Sequence, residues 1–130
     1  MKLSLFLILF CFSLHGKVIL IDPGHGGSDL GTQGILKSSK NNKIFEKDLA
    51  LKMAKILQIE LQKSYQVYLT RTNDSYVSLD ARAKMADTVK ADLFISLHFN
   101  SNSDKSAQGI ETFYLDNHND VAIKKVEDIE

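Results

Sequence analysis

The sequence predicts an α/β domain, a mostly parallel mixed sheet flanked by helices, in a single unit. Three observations predict it. Short apolar or β-branched runs alternate with stretches of helical period. The first run, at residues 18–23, is continuously apolar up to Asp22, as in a strand buried on both faces. Right-handed crossovers through the intervening helices then make the first three strands largely parallel. With 130 residues, 44% hydrophobic and 25% charged, the chain can build one core and is too short for two domains.

Residues 1–16 differ from the rest. Lys2 gives a positive start, and residues 3–14 are almost entirely apolar, the length of a signal-peptide core and too short for a membrane span. Gly16 suits the position before a cleavage, although Leu14 is large where a small residue is preferred. The expectation is export to the periplasm or the cell exterior, with residues 17–130 as the folded domain and no stable membrane span after signal cleavage. Cys11, the only cysteine, lies in this segment. The processed chain therefore has no disulfide and no thiolate, and a metal would need His, Asp or Glu.

The first strand ends at Asp22 and Pro23, the only proline, and His25 follows between Gly24 and Gly26. Residues 27–45 carry glycines and a polar run without apolar period, and are expected to form a long exposed loop. A helix begins near Glu46, with Leu49, Met53, Ile56, Leu57 and Leu61 as its predicted buried stripe. Residues 66–71 read as a strand leading into a turn at Asn73 and Asp74. Ser78 is the expected N-cap of a helix to about Lys90, its buried side predicted as Leu79, Ala83, Ala86 and Val89.

Residues 92–100 form the third predicted strand. Leu93, Ile95, Leu97 and Phe99 lie on one face, and Phe94, Ser96, His98 and Asn100 on the other. A polar loop at 101–108 leads to a fourth predicted strand at 109–115. A helical pattern of Val121, Ile123, Val126 and Ile129 begins at Asn119.

The carboxyl ends of parallel strands share one edge, where α/β domains bind ligands. His25 and His98 reach that edge, and Glu46 reaches it if the preceding loop folds back. Two imidazoles and a carboxylate are an open zinc set that leaves a fourth position for water. The residues alone leave other readings open: a turn histidine at 25, a core histidine at 98, and at 46 a first-turn carboxylate favoured by the helix dipole. His15 falls in the signal segment and His118 in a polar surface run, and neither is assigned a role. Dinucleotide binding is disfavoured because Asp29 stands where the third glycine of that fingerprint belongs. A formal net charge of zero and the absence of a basic stripe argue against nucleic acid as a partner.

From residue 17 to 115 the chain resembles the zinc-dependent N-acetylmuramoyl-L-alanine amidases that cut bacterial peptidoglycan. The residues that carry the likeness are Ile21-Asp22-Pro23-Gly24-His25-Gly26-Gly27, Glu46-Lys47-Asp48-Leu49, Leu69-Thr70-Arg71-Thr72, 79–82, 91–100 and Gly109-Ile110-Glu111. The resemblance implies that His25, Glu46 and His98 ligate zinc. It implies hydrolysis of the amide between N-acetylmuramic acid and L-alanine, with peptidoglycan as the partner and the chain acting as a monomer. Asn100 and Glu111 are expected to support the metal or the substrate.

The family's proton-delivering glutamate lies on a later strand than Glu111, and Glu130 does not match it. The resemblance thus implies a C-terminally truncated amidase, a single domain lacking its last strand and helix, whose acid/base group is unknown. The alternative is a catalytically inactive zinc- or wall-binding fragment without that base. Asp87 departs from the asparagine more often found in relatives.

Overall fold

The computed structural model describes residues 16–35, 43–102, 106 and 108–114. The signal segment up to His15, Leu115, His118 and the helical pattern from Asn119 lie outside the described residues. Among the described residues, five strands and two helices follow in the order β1 (Val18–Pro23), β2 (Gln33–Ile35), β3 (Lys43–Phe45), α1 (Glu46–Leu61), β4 (Gln66–Leu69), α2 (Leu79–Val89) and β5 (Leu93–Leu97). The main sheet has the order β4-β1-β5, and both of its pairings are parallel, Ile19 facing Val67 on one side and Leu93 on the other. The apolar strand is the central one, so its side chains are covered on both faces: Leu20 and Ile21 are each 0% exposed.

Alternation along β1 separates two layers. Ile19 and Ile21 pack with Ala54 of α1 and Leu69 of β4, and Leu57, Leu61, Val67, Ile95 and Leu97 close around them. Asp22 faces the opposite side, where Arg82 of α2 meets it. The two helices therefore flank the sheet, as the alternation of strands and helices predicts. None of the helices in the described residues is long and apolar enough to cross a membrane.

Several expectations change in detail. The expected loop at 27–45 contains an antiparallel pair, β2 with β3, in which Gly34 faces Ile44. Three-residue strands with polar members leave no alternation long enough to read. In α1 the buried positions are Glu46, Lys47, Ala50 and Ala54, whereas Met53 and Ile56 of the predicted stripe are 44% and 51% exposed. The two alanines let the helix lie close on β1; Leu57 and Leu61 of the predicted stripe pack around that contact, while Met53 and Ile56 are turned aside.

The Ser78 cap on α2 forms as expected, its hydroxyl accepting from the Ala81 amide at 3.3 Å. However, the buried residue of α2 is Arg82, while Leu79 and Ala83 are exposed. A count of apolar residues cannot see a helix face headed by a charge. The fourth predicted strand does not form: residues 108–114 have no regular structure. This stretch lies outside both sheets of the described residues, and Ile110 is 99% exposed.

Candidate metal centre

His25 stands two residues past the end of β1. The Gly24 amide donates to the Leu97 carbonyl at 3.0 Å, which ties this turn to the end of β5, where His98 follows. His25 adopts φ 60°, in the left-handed region, and Gly26 and Gly27 continue at φ 132° and 59°. A non-glycine residue in that region is held there by its surroundings. Here two buried guanidinium groups hold it. Arg71 donates to the carbonyls of Pro23 and Gly24, each at 2.9 Å. Arg82 donates to the carbonyls of Pro23 at 3.1 Å and His25 at 2.9 Å. Three successive carbonyls thus converge on two arginines. Asp22 balances the charge, accepting from Arg82 at 2.5 Å and Ser96 at 2.9 Å, and also from the Thr70 hydroxyl.

Glu46 is placed by a different device. Helix α1 has no side-chain N-cap. Its first amides are satisfied by loop carbonyls instead, Glu46 by Thr32 at 2.9 Å and Lys47 by Leu30 at 3.3 Å. The loop folds back onto the helix start, and the Glu46 side chain closes the link by accepting from the Thr32 amide at 2.9 Å and the Phe99 amide at 2.7 Å. Lys47, also buried, reaches the Gly27 carbonyl at 2.9 Å and Asp74 at 2.7 Å.

These three segments bring His25, Glu46 and His98 together, with one ligand atom from each within 4.8 Å of the others. Oε1 of Glu46 lies 3.2 Å from Nε2 of His25 and 3.3 Å from Nδ1 of His98. The imidazoles meet edge to face with centroids 4.9 Å apart. Tetrahedral zinc with bonds of about 2.0–2.1 Å sets its ligand atoms about 3.3 Å apart, so the donor set fits that ion. Space around it is kept by missing side chains. A Cβ on Gly24 would come within 2.4 Å of the His98 ring, and one on Gly31 within 2.6 Å of His25 and 2.7 Å of Glu46.

Burial would raise the Glu46 carboxyl, but hydrogen bonding to His98 and the Thr32 and Phe99 amides, with the charge of His25, outweighs it. The result is a fall from 4.5 to about 2. Glu46 is thus ionised, the form a metal needs. The other nitrogen of His25, Nδ1, lies 2.9 Å from Oδ2 of Asp29, whose Oδ1 accepts from the Gly31 amide at 3.1 Å. Burial opposes the charge on Asp29, and the bonds from His25 and Gly31 prevail and lower its pKa.

Of the other expected site residues, Asn100 is exposed two positions past His98, and Glu111 is exposed in the irregular stretch 108–114. Neither lines the cavity beside the histidines, which is bounded by Asp22, Gly24, Asp29, Tyr76, Leu79 and Arg82 among others. Asp29, Arg71 and Arg82 are the contributors that sequence reasoning did not assign. Arg71 and Arg82 lie in segments that carry the family likeness, which gave their place but no role, and Asp29 had no such signal.

A profile of the family described as N-acetylmuramoyl-L-alanine amidase (Amidase_3) matches residues 19–128. The probable cell wall amidase LytH of Staphylococcus epidermidis is 43% identical over 103 residues, covering 78% of this chain and 32% of LytH. The N-acetylmuramoyl-L-alanine amidase LytC of Bacillus subtilis is 40% identical over 100 residues, covering 76% of this chain and 19% of LytC. Among solved structures, the catalytic domain of CwlV, an N-acetylmuramoyl-L-alanine amidase of Bacillus (Paenibacillus) polymyxa, matches with a TM-score of 0.61 at 38% identity, covering 70% of this chain and 49% of that one. The chain thus spans a third or less of these two curated relatives and about half of that catalytic domain. With most of its sequence matched and its sheet superposing on solved amidase domains, this chain belongs to the N-acetylmuramoyl-L-alanine amidase family.

Proposed function

We propose that the chain carries the metal-binding half of a zinc-dependent amidase that hydrolyses the bond between N-acetylmuramic acid and L-alanine in peptidoglycan. One observation carries this reading: Nε2 of His25 and Nδ1 of His98 stand 3.2 and 3.3 Å from one oxygen of an ionised, buried Glu46. That is the spacing of a tetrahedral site with one position left open. Zinc bound there supplies Lewis acidity to an amide carbonyl and acidifies a water. The described residues of the chain position that ion. Glu46 and the two histidines fix the ion, Asp29 holds the His25 ring, and Arg71 and Arg82 fix the backbone that carries it. The family and the relatives named cell wall amidases support peptidoglycan as substrate. The apolar segment at 1–16 supports export to the cell envelope, and the domain is proposed to work there as a monomer.

The test is incubation of the zinc-loaded chain with peptidoglycan sacculi. Release of stem peptides bearing a free L-alanine amine is the expected result. One zinc per chain with binding to sacculi but no release would replace the hydrolase with a wall-binding module. Unchanged metal content in His98→Ala would remove the triad from the site.

A further inference from the structure

We propose that Tyr76 and Leu79 form the lip on which the sugar side of the substrate lies, the neutral C–H face of a pyranose ring resting on the Tyr76 ring. This rests on the amidase reading above and names which part of the substrate meets which residues. The cavity beside His25 and His98 has a volume of about 170 Å³, below the ~300–1,000 Å³ of pockets that bury a whole small ligand. It has room for a reacting group, so the remainder of a substrate must lie outside it, against the rim.

At that rim stand two large apolar side chains, Tyr76 at 62% and Leu79 at 60% exposure. Neither is exposed through looseness. The Ser75 carbonyl and the Tyr76 amide press so closely on Gly26 and Gly27 that a Cβ there would come within 2.2 and 2.6 Å of them. Asp74 accepts from the Gly27 amide and from Lys47, each at 2.7 Å. The Val77 carbonyl accepts from Arg82 at 3.0 Å, and Ser78 caps the helix that Leu79 begins. The backbone is therefore fixed to the turn that bears His25, while the Tyr76 and Leu79 side chains project unburied. Apolar surface held ready in this way beside a reactive centre is preorganised for a ligand.

The chemistry of the lip selects the side of the substrate. Tyr76, Val77 and Leu79 are uncharged; of the charged residues that line the cavity with them, Asp22 and Arg82 pair at 2.5 Å and Asp29 is held by His25 at 2.9 Å. The charged groups of peptidoglycan lie on its stem peptide, whereas the amidated muramoyl sugar is neutral and offers C–H faces. An aromatic ring beside an aliphatic side chain suits the sugar.

The test is an NMR titration of the zinc-loaded chain with two probes that contain no scissile bond, the methyl glycoside of N-acetylglucosamine, a neutral pyranose like the amidated muramoyl sugar, and L-alanyl-D-isoglutamine. We expect the sugar to shift the Tyr76 ring and Leu79 methyl resonances. Its affinity should fall about tenfold in Tyr76→Ala, a loss of the size an aromatic contact gives, and be retained in Tyr76→Phe, with zinc content unchanged in both. Affinity for the dipeptide should not change in either variant. Sugar binding that ignores Tyr76→Ala, or that is absent from a zinc-loaded chain, overturns the lip and leaves the metal site standing. A dipeptide that loses affinity in place of the sugar overturns the assignment of the glycan to this side. A chain that takes up no zinc and binds neither probe overturns the amidase reading together with the lip.

Discussion

Asp29 and Glu46 hold opposite edges of one imidazole: His25 presents Nδ1 to Asp29 at 2.9 Å and Nε2 to Glu46 at 3.2 Å. A carboxylate accepting from Nδ1–H leaves the Nε2 lone pair for a metal and fixes the ring plane. Asp29→Ala should weaken zinc binding about 10- to 100-fold, measured by competition with a chromophoric chelator. Asp29→Asn keeps an acceptor oxygen and should recover part of the loss. Wild-type affinity in both variants would show that Asp29 does not orient the ring.

The carboxyl of Glu46 titrates lower in the folded chain, at about 2 against its ordinary 4.5. A depressed acid pKa contributes stability that is complete above the unfolded value and is lost as pH falls through the folded one. Urea midpoints of the metal-free chain should therefore decline from about pH 5 towards pH 2. Glu46→Gln should flatten that slope, and identical slopes for the two proteins would contradict the assignment.

Arg82 is buried against Asp22 and also donates to the carbonyls of Pro23, His25 and Val77. Arg82→Ala strands a buried carboxylate, a change that costs about 3–5 kcal/mol. Urea unfolding should register that loss. Arg82→Lys keeps a charge for Asp22 but cannot reproduce the planar fork, so it should fall between wild type and alanine.

On α1 the expected ranking of substitutions runs against hydrophobicity. Met53→Lys and Ile56→Lys change half-exposed positions and should stay within about 0.5 kcal/mol of wild type. Ala54→Leu enlarges a residue that is 0% exposed against β1 and should cost about 1–3 kcal/mol. Thermal melts of the three variants would expose any inversion of that order.

Much of the fold could be read from residue pattern because the central strand is so uniform. An apolar run stopped by Asp22 and Pro23, followed by helix and strand periods, is enough for a parallel sheet, and the sheet edge then collects His25 and His98. What could not be read has a separate physical cause at each place. Ala50, Ala54 and Arg82 face inward for reasons of size and charge pairing, which an apolar count ignores. Strands β2 and β3 are too short to show a period. The stretch just before β2 nevertheless brings the Leu30 and Thr32 carbonyls to the start of α1, the cap that sets Glu46. The contribution of Asp29 depends on a turn with left-handed residues at 25, 26 and 27, which pattern alone does not specify.

The bond from the Phe99 amide to Glu46 joins residues 53 positions apart, and the one between Ser96 and Asp22 joins residues 74 apart. During synthesis His25 and Glu46 leave the ribosome long before His98 does. A chain still missing β5 offers an ion two donors of the three, and binding to two donors is weak. A metal held by the full triad binds only the closed sheet, so by mass action it stabilises that state alone. On the metal site proposed above, ion uptake would report that the last described strand has docked.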